Sequence, residues 1–199
     1  RVRKEIGFPC VVKPVHLGSS VGVSIVKRKS ELPRAIAKAL EGDREAMVQK
    51  YIRGLEITCG ILDDGVKPLA LPTTEIVPKG TSFFDYRAKY VPGASDEITP
   101  ARVSASLNRR VQETALTAHR ALGCRGISRT DFIVQIANSK SQIAKVWVLE
   151  INTLPGMTAT SLVPQAARVA GMSFRALLDR IIASALQEKR YVVQFSSRE

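Results

Sequence analysis

The feature that most constrains this chain is the segment VLEINTLPGMTATSLVP, residues 148–164. It begins as an apolar run interrupted by one carboxylate, which is typical of a buried strand. Glu150 and Asn152 are two residues apart, so their side chains leave the same face of that strand. A carboxylate and an amide oxygen that point together are hard donors, and they favour magnesium over zinc.

The same segment continues into a turn and the start of a helix. Pro155 and Gly156 predict a turn that brings the backbone close to a ligand. Ser161 stands at the expected helix N-terminus, where a free hydroxyl and free N–H groups could hold an anion. Taken alone, Glu150 is explained equally well as a strand residue at a solvated end.

The composition indicates a globular protein of one or two domains. Of the 199 residues, 45% are hydrophobic, and no apolar run approaches the roughly 18 residues that span a membrane. The first residues of the sequence do not have the layout of a signal peptide, and none is expected. The three cysteines are far apart and odd in number, so they match neither a disulfide framework nor a zinc site. They indicate reduced thiols in a cytoplasmic protein. The lack of a long apolar run predicts no membrane partner.

The formal charge of +12 raises the possibility of a nucleic-acid partner. The basic residues are scattered, aromatic residues make up only 6% of the chain, and no nucleic-acid-binding motif is present. We therefore expect no specific nucleic-acid partner. A basic nucleic-acid-binding protein remains the least favoured alternative.

Near the start of the chain, a short strand at residues 9–13 ends in Lys13. The loop PVHLGSSVGVS follows at residues 14–24, and a second strand is predicted at 21–26. Small residues let a backbone approach phosphate oxygens, and Ser19 and Ser20 add hydroxyl and N–H donors. A Gly/Ser hairpin turn without a ligand explains the loop alone equally well. His16 is interpreted as a solvated loop residue.

The remainder of the chain is predicted as alternating strands and helices. Residues 1–7 lead almost at once into a strand, which suggests the later part of a longer protein. The other predicted elements are a helix at 30–40 capped by Ser30, strands at 46–52 and 55–62, a hairpin turn at 63–65, two short strands within 67–77, an irregular aromatic segment at 78–96, a helix at 104–122, a strand at 127–134, a turn at 138–140, a strand at 146–151, helices at 161–170 and 173–186, and a charged tail at 188–199 with a strand-like patch at 191–195.

Two helices carry apolar stripes that predict their buried faces. His119, on the first, is interpreted as an ordinary helix residue. The stripe on the helix at 104–122 consists of Leu107, Val111, Ala115, Ala118 and Leu122. That on the helix at 173–186 consists of Leu177, Leu178, Ile181, Ile182 and Leu186.

A second acidic strand residue is predicted to face the first. Arg129 and Asp131 share one face of the strand at 127–134. The following hairpin brings Asp131 alongside Glu150 and Asn152. Buried acidic groups that face each other repel unless a cation joins them. The pattern therefore predicts a metal site.

Taken together, these segments resemble the D-alanine–D-alanine ligases of the ATP-grasp superfamily. The resemblance rests on Glu-x-Asn-Thr-x-Pro-Gly-Met-Thr with Ser-Leu-Val-Pro, on Val-Lys-Pro and on Gly-Ser-Ser-x-Gly, and it covers about residues 7–187. It implies an α/β (α+β) ATP-grasp fold, in which two α/β subdomains hold a nucleotide between them. The implied domains are an incomplete central subdomain at 1–54, a C-terminal subdomain at 55–187 with a lid loop at 78–96, and the tail at 188–199.

The resemblance also implies nucleotide-binding residues. Lys13 would contact the phosphates of ATP, the Ser19–Ser20 loop would close over the γ-phosphate, and Glu56 would accept hydrogen bonds from the ribose. Gln49 departs from the family, because many relatives have an acidic residue there. The adenine edge would meet the backbone at Lys50, Tyr51 and Ile52, and Lys89 in the lid would add a phosphate contact.

For catalysis, the resemblance implies three groups of residues. Arg129 and the Gly156 N–H would stabilise oxyanionic charge, and Tyr90 would reach from the lid to pair with Ser19. Ser161 and Leu162 would bind the carboxylate of the second D-alanine. Two magnesium ions, with manganese as an alternative, would be held by Asp131, Glu150 and Asn152.

The implied activity is ATP-dependent ligation of two D-alanines through an acyl phosphate, for peptidoglycan precursor synthesis, by a cytoplasmic homodimer. Relatives carry an N-terminal domain that is not in this sequence, so the chain is expected to be part of the enzyme. Three other functions remain open: another ATP-grasp carboxylate–amine ligase, a D-alanine–D-lactate ligase, and a nucleotide-binding fragment without activity of its own. Tyr90 favours dipeptide formation over the depsipeptide.

Overall fold

A computed structural model describes residues 2–65, 67–79, 93–136 and 144–196, with side chains up to residue 187. The chain divides into two compact units. The first unit comprises residues 1–53 and 77–96, and the second comprises residues 54–76 and 97–199. The expected lid residues Lys89 and Tyr90 and the turn at 138–140 lie outside the described residues.

The first unit is a three-stranded antiparallel sheet in the order β2-β1-β3 with one helix packed on it. Ala35 and Ala39 of the helix pack on Cys10, Val12 and Val26 of the sheet, and together these form its core. Its elements are α1 (Val2–Glu5), β1 (Cys10–Pro14), β2 (Ser24–Val26), a 3-10 turn (Lys29–Glu31), α2 (Leu32–Leu40) and β3 (Ala46–Lys50).

The other sheet has six strands, in the order β7-β6-β4-β8-β9 with β5 paired to β4. The pairs β4–β8 and β8–β9 are antiparallel. The elements are β4 (Leu55–Leu62), β5 (Leu69–Ala70), β6 (Thr74–Pro78), β7 (Ser95–Ile98), α3 (Ala105–Ala121), β8 (Ile127–Gln135), β9 (Lys145–Asn152), α4 (Leu162–Val169) and α5 (Phe174–Ser196).

Alternation along β8 gives the central part of this sheet two different faces. Phe132 and Val134 pack with Val111 and Ala115 of α3 in one apolar core. A second core joins the end of β4 to α4 and α5. Arg129 and Asp131, which are offset by one residue from the apolar positions, therefore lie on the face turned away from α3.

The helix expected at 104–122 is confirmed as α3. The Ser104 hydroxyl accepts a hydrogen bond from the N–H of Leu107 at 3.3 Å, and Gly123 ends the helix at a φ of +62°. The end of the predicted apolar stripe is wrong. Leu122 follows the last helical residue and is 64% exposed, whereas His119 is fully buried on the helix face that packs on the sheet.

Four other expectations are wrong. Residues 2–5 form a short helix before β1. Ser30 lies inside the 3-10 turn and Glu31 is the N-cap of α2. No breaker stands between residues 173 and 196, so α5 continues through the segment for which a strand-like patch was predicted. Ile182 and Leu186 are exposed rather than on an inner face. The strand β7 was not foreseen.

No helix within the described ranges is long and apolar enough to cross a membrane. All three cysteines are free thiols. Burial raises the pKa of the Cys59 thiol to about 12. This thiol therefore stays protonated at neutral pH and serves as a small core residue.

A close approach between β8 and the start of β4 gives the first prediction. A Cβ added at Gly54 would lie 2.5 Å from the Val134 carbonyl oxygen and 2.7 Å from Ile133 Cγ2. Because the oxygen belongs to the backbone of a paired strand, it cannot move aside. We expect Gly54→Ala to lower the free energy of unfolding by about 1–3 kcal/mol in urea denaturation.

The matched control is Gly18→Ala, because an added Cβ there meets nothing within 4 Å. This variant should change the free energy of unfolding by less than about 1 kcal/mol. Equal unfolding midpoints for the two variants would contradict the close approach at Gly54.

Candidate active site

The centre of the candidate site is the carboxylate of Asp131 on β8. Its Oδ1 accepts hydrogen bonds from Thr58 Oγ1 at 2.7 Å and from Arg129 Nε at 2.8 Å. Its Oδ2 accepts from Arg129 Nη2 at 2.8 Å and from Asn152 Nδ2 at 3.2 Å. A carboxylate offers about four lone-pair sites. The four donors, which come from three adjacent strands, therefore saturate Asp131.

The register of β8 and β9 sets the positions of the other two predicted metal ligands. Asp131 stands opposite Glu150, and Arg129 stands opposite Asn152. A register shift follows at Asp131/Phe132, so Glu150 and Asn152 keep the polar face while the pairing beyond them changes. The hairpin predicted from the sequence therefore does bring Asp131, Glu150 and Asn152 together.

The prediction that Asp131 and Glu150 form a buried, repelling pair that needs a cation is wrong. Asp131 is nearly buried, at 9% exposed, whereas Glu150 is exposed. The two carboxylates are therefore not a buried acidic pair. The Arg129 guanidinium forms a bidentate ion pair with Asp131, so the buried charge is compensated within the protein.

The donor set still fits magnesium in its chemistry. Within the described ranges, no three His, Cys, Asp or Glu side chains form a cluster that could hold a metal. A cation here would be held by two carboxylates and an amide oxygen, which are hard oxygen ligands. Because Asn152 donates to Asp131 through Nδ2, its Oδ1 is the atom left to act as a ligand. Asp131 would first have to release one of its four donors.

The turn after β9 is organised by Ser161. A Cβ at Gly156 would lie 2.9 Å from Ser161 Oγ. The same oxygen accepts the N–H of Thr158 at 3.0 Å and lies 2.8 Å from Thr158 Oγ1. The Ser161 oxygen is therefore already a hydrogen-bond acceptor. If Thr158 Oγ1 is the donor in the second contact, the Ser161 hydroxyl keeps its own proton to donate. Leu162 begins α4 and its side chain is buried.

The predicted phosphate-binding residues lie in the first unit. Lys13 is on β1 opposite Met47 and is half-buried. Ser19 and Ser20 have φ values of +56° and +60°. Positive φ values cost conformational energy in residues other than glycine. Strained residues of this kind are common in ligand-binding loops.

The predicted adenine contacts belong to the first unit, and the predicted ribose contact belongs to the second. Lys50 ends β3, and the N–H of Tyr51 donates to the Pro9 carbonyl at 3.4 Å. Ile52 follows and is half-buried. Glu56 lies on β4 opposite Ile133, on the same face as Thr58 and Asp131.

Sequence reasoning missed Thr58, which donates to Asp131 from the neighbouring strand. The available signal was its spacing of two from Glu56, which places both side chains on one face of β4. The sequence could not pair it with Asp131, because the two residues are 73 positions apart.

A buried Ser-His-Asp arrangement also lies in the second unit. His119 Nδ1 lies 2.7 Å from Ser128 Oγ, and Nε2 lies 3.4 Å from Asp63 Oδ2. Ser128 is fully buried, so its hydroxyl cannot reach a substrate. We interpret these three residues as a structural link between α3, β8 and the end of β4, and not as a nucleophilic triad.

The sequence of this chain is similar to that of known ligases. A family model described as D-ala D-ala ligase C-terminus matches residues 1–183. The D-alanine–D-alanine ligase of Syntrophobacter fumaroxidans is 51% identical over 189 residues, which cover 94% of this chain and 58% of that protein. The D-alanine–D-alanine ligase of Leptospira interrogans serovar copenhageni is 47% identical over 192 residues, covering 94% of this chain and 52% of that protein.

Solved structures give the same result. A Bacillus anthracis D-alanine–D-alanine ligase complexed with ATP matches with a TM-score of 0.72 and 35% identity, over 96% of this chain and 55% of that one. The Coxiella burnetii D-alanine–D-alanine ligase matches with a TM-score of 0.76 and 32% identity, over 96% of this chain and 51% of that one. The chain thus spans little more than half the length of the relatives it matches.

The ion pair at the centre of the site gives the second prediction. Arg129→Met would leave Asp131 nearly buried with its charge uncompensated. We expect the free energy of unfolding to fall by about 3 kcal/mol in urea denaturation near neutral pH. The double variant Arg129→Met/Asp131→Asn should lose less than Arg129→Met alone, because the charge itself is gone.

The control for this prediction is Arg28→Met, which breaks an exposed pair with Glu31 whose side chains are 80% and 37% exposed. Its free energy of unfolding should change by less than about 1 kcal/mol. Additive losses in the double variant would show that Arg129 and Asp131 are not coupled.

Proposed function

The chain belongs to the D-ala D-ala ligase C-terminus family and has its ATP-grasp fold, and on that premise we propose that it forms the nucleotide-binding and catalytic part of an ATP-dependent D-alanine–D-alanine ligase. The observation that carries the proposal is the polar cluster of Arg129, Asp131, Glu150 and Asn152 on one face of β8 and β9, in a chain matched by that family over residues 1–183. The family match alone would be compatible with an inactive domain, whereas the cluster supplies groups suited to the chemistry.

In the proposed reaction, ATP phosphorylates the carboxylate of one D-alanine. The amine of a second D-alanine then attacks the acyl phosphate, and phosphate leaves. The B. anthracis relative binds ATP in its solved complex, which supports the choice of nucleotide for this chain. Residues 1–54 and 55–187 are proposed as the central and C-terminal ATP-grasp subdomains. The complete protein is proposed to act as a cytoplasmic homodimer in peptidoglycan precursor synthesis.

Glu150, Asn152 and Asp131 are proposed to hold magnesium. When bound, magnesium would neutralise phosphate charge and act as a Lewis acid. Glu150 is suited to this role because it is exposed on the polar face. Asp131 has the additional role of orienting Arg129 through two hydrogen bonds.

Arg129 is proposed to stabilise the negative charge that develops on the reacting oxygens. Its side chain is 19% exposed and its orientation is fixed by Asp131. A fixed cation needs little reorganisation when charge develops next to it, which is the condition for efficient electrostatic stabilisation. The N–H of Gly156 is proposed to add a second donor.

The substrate carboxylate is proposed to bind at the N-terminus of α4. Ser161 is the N-cap residue, and its hydroxyl does not cap the helix. The free N–H groups and positive dipole end of a helix N-terminus favour an anion. Leu162, with its side chain buried, would contribute its backbone N–H. Lys89 and Tyr90 remain predictions from the resemblance.

On the nucleotide side, Lys13, Ser19 and Ser20 are proposed to contact the phosphates, the backbone at residues 50–52 the adenine and Glu56 the ribose. We expect the chain to bind ATP in a magnesium-dependent manner, measured by calorimetry. The complete protein should release phosphate from ATP when D-alanine is present. Absence of magnesium-dependent binding in a folded sample would contradict the proposal, and D-alanine-independent phosphate release would point to another ATP-grasp reaction.

The role of Glu150 gives a sharper prediction. Glu150→Gln keeps the shape of the side chain but removes its charge. In the complete enzyme, turnover should fall by about 10²–10³-fold, as when an electrostatic contact to the transition state is lost. Binding of the adenosine moiety should persist. Turnover is to be measured as a function of magnesium concentration.

Asn152→Ala should be milder, because it removes a neutral group, and Asp131→Asn should be intermediate. The matched control is Glu113→Gln, an exposed carboxylate on α3, which should keep wild-type turnover. If Glu150→Gln has the same rate and magnesium dependence as this control, Glu150 is a solvated strand residue and the assignment is wrong.

A further inference from the structure

The loop at residues 14–24, called the phosphate loop here, is fastened at its base by one carboxylate. The backbone N–H of His16 donates to Asp43 Oδ2 at 2.6 Å. The Nδ1 atom of the same residue lies 2.9 Å from Asp43 Oδ1. Both oxygens of one side chain therefore hold one loop residue, across 27 positions of sequence. Asp43 lies in the 41–45 turn, which connects α2 to β3.

The residues on either side of His16 contact the same turn. The N–H of Val15 donates to the Glu45 carbonyl at 3.2 Å. A Cβ at Gly42 would lie 2.9 Å from Leu17 Cδ1, so Leu17 packs on the backbone of that glycine. Three consecutive loop residues are thus fixed to the 41–45 turn, and His16 supplies the polar part of the attachment.

The tip of the loop is the part that needs support. Ser19 and Ser20 both have positive φ, and such a conformation persists only where the surroundings impose it. Hydrogen bonds within the tip include those from Val21 N–H to the Gly18 carbonyl at 3.1 Å and from Val23 N–H to the Ser20 carbonyl at 3.3 Å. His16 lies only three residues before Ser19, so the attachment at His16 limits the positions that the tip can adopt.

We propose that His16 is a positioning residue for ATP, which acts by anchoring the phosphate loop to Asp43 so that Ser19 and Ser20 are held ready for the phosphates. The inference rests on the proposed function, because it requires that this loop hold the nucleotide phosphates. His16 is exposed, in agreement with its interpretation as a solvated loop residue, and the anchoring role is added to that interpretation. His16 itself does not have to touch the nucleotide.

The anchor should depend on pH. Hydrogen bonding to Asp43 and attraction to its charge raise the pKa of His16, and Glu45 adds to the attraction. Hydrogen bonds from the His16 backbone N–H and then from its side chain, with smaller contributions from the Glu45 and Arg44 N–H groups, hold the pKa of Asp43 well below its usual range. Asp43 is therefore ionised at all pH values near neutrality. Glu41 and Arg44 are also charged and line a surface depression together with His16.

The direction in which the anchor changes with pH follows from the raised pKa of His16. The charged pair is complete below the ordinary histidine pKa, and its charge attraction is lost as the pH rises through the raised value. The bond from the His16 backbone N–H to Asp43 does not titrate in this range. The affinity for ATP should therefore weaken at higher pH without being abolished.

The test compares the affinity for magnesium-ATP of four forms of the chain by calorimetry: wild type, His16→Ala, His16→Asn and Asp43→Asn. His16→Ala should weaken binding about tenfold at about pH 6, the size expected for a lost charge-assisted hydrogen bond. His16→Asn retains a short donor without a titrating group, so it should partly rescue affinity. The control Glu41→Gln changes a charge in the same turn and should bind as wild type does.

The pH dependence separates positioning from a general loss of structure. The ratio of wild-type to Asp43→Asn affinity, in which titration of the nucleotide cancels, should fall several-fold between about pH 6 and about pH 8. For His16→Ala and His16→Asn, the affinity divided by that of Asp43→Asn should not fall over this pH range. If His16→Ala binds as tightly as wild type, or if all forms share one pH dependence, the inference is overturned while the proposed function stands.

A measurement without nucleotide distinguishes failure of the His16 inference from failure of the proposed function. The chain has two histidines, so NMR titration resolves His16 directly. Its pKa should lie above that of an unperturbed histidine and should drop in Asp43→Asn. If the pKa of His16 is the same in wild type and in Asp43→Asn, the anchor does not exist and the inference is overturned. If the anchor is present by NMR but wild type binds no magnesium-ATP, the proposed function fails and the positioning role fails with it.

Discussion

The ion pair between Arg129 and Asp131 is the interaction on which the candidate site depends. A nearly buried carboxylate is costly unless charge and hydrogen bonds compensate it, and here two of its four donors come from one guanidinium. The other two come from Thr58 on β4 and Asn152 on β9. One carboxylate therefore joins three neighbouring strands on their polar face. It also fixes the Arg129 guanidinium, which is the cation proposed to stabilise negative charge in the reaction.

The same strands carry the apolar core on their other face. Phe132 and Val134 alternate with Asp131 along β8 and pack under α3. Because side chains alternate between the two faces of a strand, residues of the apolar core and residues of the candidate site follow one another along β8. Changes on the polar face are expected to affect both, since Asp131 links the strands as well as orienting Arg129. In the first unit, His16 and Asp43 similarly join a loop proposed to bind phosphate to the element that supports it.

Much of this organisation could be predicted from local sequence. The strand β4 at Leu55–Leu62 has the predicted limits, and α3 at Ala105–Ala121 lies within one residue of its predicted limits at both ends. Spacing alone placed Arg129 with Asp131 and Glu150 with Asn152, because side-chain direction in a strand depends only on position. Element ends were less accurate: α5 runs on through residues 188–196, since nothing there breaks a helix. Partners distant in sequence, such as Thr58 for Asp131 and Asp43 for His16, could not be found.

The sequence by itself determined the family, the fold class and the set of polar residues, because motif spacing and side-chain periodicity are properties of the chain. The tertiary structure decided which of these residues compensate one another. Two acidic residues in facing strands predict a repelling pair, yet Glu150 is exposed and Asp131 is paired with Arg129. Compensation of a buried charge depends on burial and on the distance to each donor. Both are fixed only when strands far apart in sequence come together.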